Sequence, residues 1–375
     1  LFGFPQSQAV LDGVNQGVDA ISAATHTGTQ FIFGYLGGGE QPYMLAGERP
    51  PFVFAFEVLP LILVISALSA LLWHWKILKW ITQGFGFLFE KTMGLGGASA
   101  LAVAANIFLG MIESPIVIRA YLDKLSRSEL FLMMVVGLAT VAGSTMVAYA
   151  AILKDTLSNA AGHVLAASII SAPAGVMLAR IIMPEKLGQG GAYAGSEAEL
   201  RYDSSIDAIV KGTSDGLMVV LNISAILIVF VALVALANLM LSGFWWDGAI
   251  TIERGLGYVF APLAWLVGVP WSEAQTGGWL LGKKLVLTEF VAFIELGNIP
   301  AADLSERSRM LMTYALCGFA NIASVGITVT GFSILMPERR AEVMGMVWKA
   351  LIAGFLATCM TAAVVGCMPP WIFGQ

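Results

Sequence analysis

The sequence predicts an all-α protein that crosses a membrane several times. Of its 375 residues, 58% are hydrophobic and 12% are charged, about half the charged fraction of an ordinary soluble domain. The mean hydropathy is +0.81. Strands are disfavoured, because membrane strands alternate polar and apolar residues. Each of five apolar runs could cross about 30 Å of hydrocarbon as a helix; they lie at 130–153, 156–179, 216–246, 310–337 and 350–375.

We divide the chain into four parts, taken in order. Residues 8–27 are amphipathic and too polar to span, which predicts a helix at the membrane interface. A Gly-rich turn follows them. The parts are 1–50 with this interfacial helix and turn, 51–183 as a first membrane half, 184–212 as a polar connector with a second interfacial helix, and 213–375 as a second membrane half.

Each membrane half contains one interrupted apolar stretch. Residues 95–125 hold Gly110 and Pro115 with too little apolar sequence on either side for two spans, which predicts a re-entrant hairpin. The pattern recurs at 255–284, where a polar turn interrupts the stretch. Interrupted segments in corresponding halves point to a transporter binding site.

The direction of the last span follows from charge. Arg339 and Arg340 precede it, and the tail after it has no Lys or Arg. The positive-inside rule therefore places these arginines in the cytoplasm and the C-terminus outside.

Two glutamates lie within apolar sequence, Glu113 in the first half and Glu289 in the second. A carboxylate at the centre of a bilayer costs roughly 2.5 to 3.5 kcal/mol on insertion scales, so it normally faces a polar interior and has a function there. The alternative is a hydrogen-bonded carboxylate that only ties helices together. Gly110 and Pro115, which indicate a broken helix around Glu113, favour contact between this carboxylate and a ligand or ion.

A second polar set lies near the end of the chain. Asn321 and Ser324 are three residues apart and share one helix face. Phe319 could join them only if the helix unwinds, which Gly318 and Gly326 make feasible. A purely interhelical role for the two polar residues is equally compatible with this motif.

An ion site is indicated at Asn106, four residues before Gly110. An amide oxygen beside the free carbonyls of a broken helix suits a hard cation such as Na⁺. The three cysteines form no metal or redox motif, and the net charge of −5 gives no reason to expect nucleic-acid binding. No common enzyme motif is present.

Four strings lie in order along the chain: TQFIFG at 29–34, GYVFAPLAWLVGVPWSEA at 257–274, GKKLVLTEFVA at 282–292 and ALCGFAN at 315–321. By these strings the chain, from residue 29 onward, resembles the concentrative nucleoside transporter family. The resemblance implies a homotrimer in a bacterial inner membrane that imports nucleosides with a cation, expected to be Na⁺, and uses no organic cofactor. Each protomer would pair a scaffold for trimerisation with a transport domain of two re-entrant hairpins and broken helices. The additional N-terminal helices usual in the family look absent here.

The resemblance also assigns site residues. The ribose would be bound by Glu289, Phe319, Asn321 and Ser324, and the base by the first hairpin with Glu113. Thr145 would line the base pocket. Sodium would be bound by Asn106, Thr140 and the carbonyls of Leu109 and Val141.

One departure from the family pattern concerns the base pocket. The family usually has Gln and Thr or Ser before the first glutamate, where this chain has Met111 and Ile112. Polar groups that read a base edge discriminate strongly because a wrong ligand leaves them without partners. Apolar side chains impose no such penalty, so the base preference stays open at this point.

Three other functions compete with sodium symport. Proton coupling through Glu113 or Glu289 would also fit a carrier of nucleosides or related small polar metabolites. An intramembrane enzyme could use the two carboxylates as acid and base. A structural membrane protein would use neither.

Overall fold

Every regular element among the described residues is helical. The computed structural model describes residues 5–42, 53–154, 156–185, 201–244 and 251–369. Most of the predicted polar connector, at 186–200, lies outside them. The α-helices are α1 Pro5–Phe33, α2 Phe54–Glu57, α3 Leu59–His74, α4 Ile77–Met93, α5 Gly97–Asn106, α6 Glu113–Val117, α7 Arg127–Ala139, α8 Gly143–Leu153, α9 Ala160–Ile182, α10 Ser205–Phe244, α11 Ile252–Val267, α12 Trp271–Val286, α13 Glu289–Asn298, α14 Glu306–Leu316, α15 Ile322–Leu335 and α16 Arg340–Gly366.

Within the described ranges, five helical segments are long and apolar enough to cross a membrane. They are Phe54–His74, Arg127–Leu153, Ala160–Ile182, Ser205–Leu241 and Pro337–Gly366. A further pair, α11 and α12, is bent by 116° at a short break. The predicted all-α class with several spans is therefore confirmed.

The element order repeats. In the first half a span (α3) is followed by α4 packed on α5, the pair α5–α6, the broken helix α7–α8 and the span α9. In the second half α10 is followed by α11 packed on α12, the pair α12–α13, the broken helix α14–α15 and the span α16. By this correspondence the pair α12–α13 is the counterpart of α5–α6, and the predicted second hairpin at 255–284 covers the bent pair α11 and α12.

The two halves have opposite directions. α3 and α10 pack antiparallel, with Gly212 against Ala67 and Ala70, and Gly216 against Leu63. Trp75 Nε1, just after α3, donates to Ser205 Oγ at the start of α10, over 3.2 Å. Inverted repeats of this kind are common in secondary transporters.

Both glutamates occupy the same place in their repeat. Glu113 is the first residue of α6 and Glu289 the first residue of α13. Each glutamate therefore begins the second helix of its pair, which we call its second arm. The sequence predicts that Glu289 lies on a helix that follows the second hairpin. In the structure the chain turns again at Leu287 and Thr288, so Glu289 begins the second helix of the pair α12–α13.

Two broken helices and the α5–α6 connection meet at their breaks. The predicted apolar run at 130–153 is interrupted at 140–142, and the chain is non-helical at 317–321, around Gly318, where unwinding was feasible. Gly143 N donates to Phe108 O over 3.0 Å, and Phe319 N donates to Thr140 O over 3.3 Å. Backbone groups freed at this depth need protein partners, and here the breaks supply partners for one another.

Basic loops collect on one face. Arg180 donates to the carbonyls of Met93 and Gly94, and Arg339 donates to those of Leu122 and Leu125. Ser128 Oγ donates to Met183 O over 2.6 Å. These bonds bring several loops and helix ends together into what we call the basic face. The Lys and Arg residues that make these contacts or lie within two positions of them are Lys91, Lys124, Arg127, Arg180, Arg339 and Arg340.

The close contact of α11 and α12 gives a stability test. A Cβ built at Gly278 would lie 2.4 Å from Gly257 O and 2.5 Å from Ala261 N. Backbone cannot move away cheaply, so we expect Gly278→Ala to destabilise the protein by about 2 kcal/mol. Gly255→Ala is the control, because a Cβ there meets nothing within 4 Å and Ala favours the helix. Thermal unfolding in detergent should show a lower midpoint for Gly278→Ala alone; equal midpoints would contradict the close packing.

Candidate functional site

A cavity of about 170 Å³ lies where four helices begin. The first residues of α6, α8, α13 and α15, or those just before them, line it, and α10 closes one side. Helix N-termini carry partial positive charge and free N–H groups, which suits the two carboxylates present. The residues predicted to contact a substrate all line this cavity: Met111, Ile112, Glu113, Thr145, Glu289, Phe319, Asn321 and Ser324.

Glu289 is buried and held by two donors. Tyr149 OH donates to its Oε1 over 2.9 Å, and Asn321 Nδ2 donates to its Oε2 over 2.6 Å. Asn321 is also the N-cap of α15, because its Oδ1 accepts from Ser324 N over 2.8 Å. The cap fixes the orientation of the amide, so its NH₂ group points to the carboxylate.

Tyr149 is a site residue that sequence reasoning missed. Its ring stacks on Phe293 with centroids 4.3 Å apart and meets Phe290 edge-on at 4.9 Å. The available signal was its position four residues after Thr145, on the same face of α8. The hydroxyl is thereby held rigidly against Glu289.

The first glutamate lies in a less polar setting. The Glu113 carboxylate accepts a hydrogen bond from the backbone N–H of Gly110, which closes the turn before α6. Met111 Sδ lies 3.7 Å from Thr328 Oγ1, and Ile112 is 37% exposed in the cavity. This side of the cavity therefore offers one carboxylate within a mainly apolar wall.

The predicted ion-binding residues lie around two of the breaks. Asn106 is 1% exposed, and its Oδ1 has no hydrogen-bond partner among the described residues. Thr140 Oγ1 donates to Val136 O over 2.9 Å, which leaves the hydroxyl oxygen able to accept or ligate. Leu109 and Val141 lie in the non-helical segments 107–112 and 140–142, which the Gly143–Phe108 bond joins. A buried oxygen without a donor beside such segments fits a hard cation.

Lys284 is a buried cation that the sequence did not single out. Its Nζ donates to Ala315 O and to Thr358 Oγ1, both over 2.8 Å, and lies 5.3 Å from the centroid of Phe355. Ala315 lies in the last turn of α14, where positive charge is favourable. The lysine thus ties α12 to α14 and α16 beside the break that leads to Phe319.

α10 contributes to the site as well. Val219, Asn222, Ile223 and Ile226 line the cavity from this 40-residue helix. From sequence it was predicted only as a long span. Asn222 is the polar residue that it presents there.

Comparisons with known proteins agree on one family. Residues 163–366 match the family model described as Na⁺ dependent nucleoside transporter C-terminus, and residues 55–156 match one described as nucleoside recognition. The nucleoside permease NupC of Helicobacter pylori is 34% identical over 96% of this chain and 86% of its own length. Solute carrier family 28 member 3 of Mus musculus is 32% identical over 95% of this chain and 51% of its own length.

Solved structures give the same result for the fold. The structure of CNTnw in an inward-facing substrate-bound state has a TM-score of 0.88 and 35% identity, covering 97% of this chain and 87% of its own. A CNTnw variant in an outward-facing state has the same TM-score, with 34% identity over 99% of this chain and 87% of its own.

Neighbouring lysines allow a matched test of the internal cation. Lys284→Met removes the donor from a buried helix-end carbonyl and a buried hydroxyl, so we expect a loss of about 2 kcal/mol in stability. Lys283→Met is the control, since Lys283 pairs with the partly exposed Glu295 and such pairs contribute about 1 kcal/mol or less. Thermal unfolding of the two variants should separate them clearly. A larger effect for Lys283→Met would contradict the role given to Lys284.

Proposed function

Because the chain belongs to the concentrative nucleoside transporter family, we propose that it imports nucleosides together with Na⁺ across a bacterial inner membrane. The observation that carries the proposal is the convergence of eight predicted contact residues, from four separate helix starts, on one cavity. These residues span positions 111 to 324, so their meeting is a property of the fold rather than of one local motif.

The polar side of the cavity suits a ribose. Glu289 accepts from Tyr149 and Asn321, and each carboxylate oxygen keeps capacity for a further hydrogen bond from a sugar hydroxyl. Ser324 is buried within the same turn of α15. The ribose is therefore proposed to bind Glu289, Asn321 and Ser324, with Phe319 as an apolar wall.

The part of the cavity before α6 suits the base. Met111 and Ile112 provide apolar surface, Glu113 follows them directly in the chain, and Thr145 also lines the cavity. A wall with few polar groups sets little penalty against bases that differ at one edge. We therefore propose a broad range of nucleosides rather than selection for one base.

Ion and substrate would bind cooperatively. Na⁺ is proposed to bind Asn106 Oδ1, the Thr140 hydroxyl and the carbonyls of Leu109 and Val141. The Phe319–Thr140 backbone bond joins this region to the substrate side. Order imposed by one ligand therefore lowers the cost of ordering the other, and each should raise the affinity of the other by the same factor.

The inverted halves suit alternating access. The basic face is proposed to be cytoplasmic under the positive-inside rule. The hairpin-bearing helices would then move against α3 and α10, which we propose as part of the scaffold of a homotrimer. Opposite directions of the two repeats allow one binding site to open to either side.

Removal of the Glu289 charge tests the substrate site. We expect Glu289→Gln to lower uptake of labelled nucleoside into proteoliposomes at least about a hundredfold, since the amide cannot accept all the hydrogen bonds of the carboxylate. Glu295→Gln is the control on the same helix, because Glu295 pairs with Lys283 outside the cavity. Full uptake by Glu289→Gln would remove the proposed ribose contact. Recovery of a chemically altered nucleoside inside the vesicles would favour an enzyme.

Cation replacement tests the coupling ion. With choline in place of Na⁺ at fixed pH, we expect uptake to fall to background. Asn106→Leu should need about tenfold more Na⁺ for half-maximal uptake, because it removes one oxygen ligand of the ion. Uptake that persists in choline and follows an imposed pH gradient would instead support proton coupling.

A further inference from the structure

A second cavity of about 90 Å³ adjoins the substrate cavity. Its own lining includes Ser66, Ser69 and Trp73 of α3. Tyr202 and Asp215 also line it. Both cavities share the same four lining residues, Gly110, Glu113, Ala142 and Ser144. The two spaces are therefore separated by the turn before α6 and the start of α8, with Glu113 in the partition.

One side of α10 runs along both cavities. Gly212 and Asp215 line the second, and Val219, Asn222 and Ile226 line the first. These positions recur every three or four residues, which places them on one helix face. At 1.5 Å per residue, Asp215 lies about 10 Å from Asn222 along the axis, toward the start of α10.

The start of α10 lies beside the end of α3, since Trp75 donates to Ser205. Lys76 and Lys79 follow α3, and Arg201 and Lys211 flank the start of α10, so the positive-inside rule favours the cytoplasm for this end. The second cavity lies between the substrate cavity and this end of α10. In the proposed orientation, that is the cytoplasmic side of the substrate.

The two walls of this cavity differ in their freedom to move. α3 and α10 are in close contact, since a Cβ at Gly212 would lie 2.8 Å from Ser66 O. The facing wall consists of the turn before α6 and the start of α8, which the Gly143–Phe108 bond ties together. Movement of this wall as a unit away from α10 would join the two cavities.

The chemistry of the lining matches a nucleoside. Ser66, Ser69 and Tyr202 provide hydroxyls, Asp215 provides a carboxylate, and Trp73 with Tyr202 provides aromatic surface. The described lining holds no Lys or Arg. Such a surface can bond ribose hydroxyls and base N–H groups and can contact a base ring.

We propose that the second cavity is the cytoplasmic release passage for the nucleoside, with Asp215 accepting hydrogen bonds from the ligand after it passes Glu113. This inference rests on the proposed function, and it adds a binding position that the ligand occupies transiently. Gly212, Asp215, Asn222 and Ile226 then form one continuous track along α10.

Thiol protection tests occupancy of the passage. Cys317 and Cys359 are buried and Cys367 is exposed, so Cys367→Ser provides the background for Ser69→Cys. Labelling by a water-soluble methanethiosulfonate should be slowed about threefold by nucleoside at twice its Kd for the passage. The same protection should persist when Glu289→Gln has weakened the substrate site. Ser22→Cys, in a separate cavity beside Lys154, is the matched control and should show no protection.

The role of Asp215 is tested by comparing the maximal uptake rate with the equilibrium affinity for nucleoside in Asp215 variants. We expect Asp215→Leu to lower the maximal uptake rate about tenfold, because release becomes slower, while equilibrium nucleoside binding stays within about twofold. Asp215→Asn keeps a hydrogen-bonding group and should retain most of the rate. A carboxylate with only a structural role would change binding, stability and rate together in both variants.

The outcomes separate the two proposals. If the wild type takes up nucleoside but Ser69→Cys is unprotected in the Glu289→Gln variant, or is protected no more than Ser22→Cys, the release passage is wrong and the transport function stands. If the wild type neither takes up nor binds nucleosides, both proposals fall.

Discussion

The whole site depends on one constraint: backbone groups released within the membrane must find partners in the protein. The breaks at 107–112, 140–142 and 317–321 meet this constraint together, through the Gly143–Phe108 and Phe319–Thr140 bonds. Each break therefore holds its neighbour in place. The proposed substrate cavity and ion site both lie beside these breaks, because that is where helix ends and free carbonyls are available.

The buried charged side chains, like the free backbone groups, have partners within the protein. Glu289 is held by a tyrosine hydroxyl and a capping amide, while Lys284 occupies the end of α14. The positive charge thus meets helix-end carbonyls, and the carboxylates begin helices, where N–H groups are free. Each charge lies at the helix end that carries the opposite partial charge. The buried region can therefore keep the polar groups that a hydrophilic solute needs.

The two halves differ where the solute would be recognised. Both glutamates begin the second arm of their pairs, yet Glu289 has two side-chain donors and Glu113 has a backbone donor beside Met111 and Ile112. A repeated backbone has therefore produced one polar wall and one apolar wall. An amphiphilic ligand with a hydroxyl-rich sugar and a flat ring matches this division.

The sequence by itself determined the all-α class, the main spans and the two glutamates within apolar sequence, because apolar length and isolated polar residues are local signals. The eight predicted contact residues came from the family resemblance, whereas the part of the cavity lining that α10 provides appeared only in the tertiary structure. The break at 140–142, the position of Glu289 at the start of an arm, and the roles of Tyr149 and Lys284 were decided only by the tertiary structure. Tyr149 and Glu289 are 140 positions apart, and Lys284 and Thr358 are 74 apart. No periodicity specifies such partners; they are set by which helices pack together and in which direction.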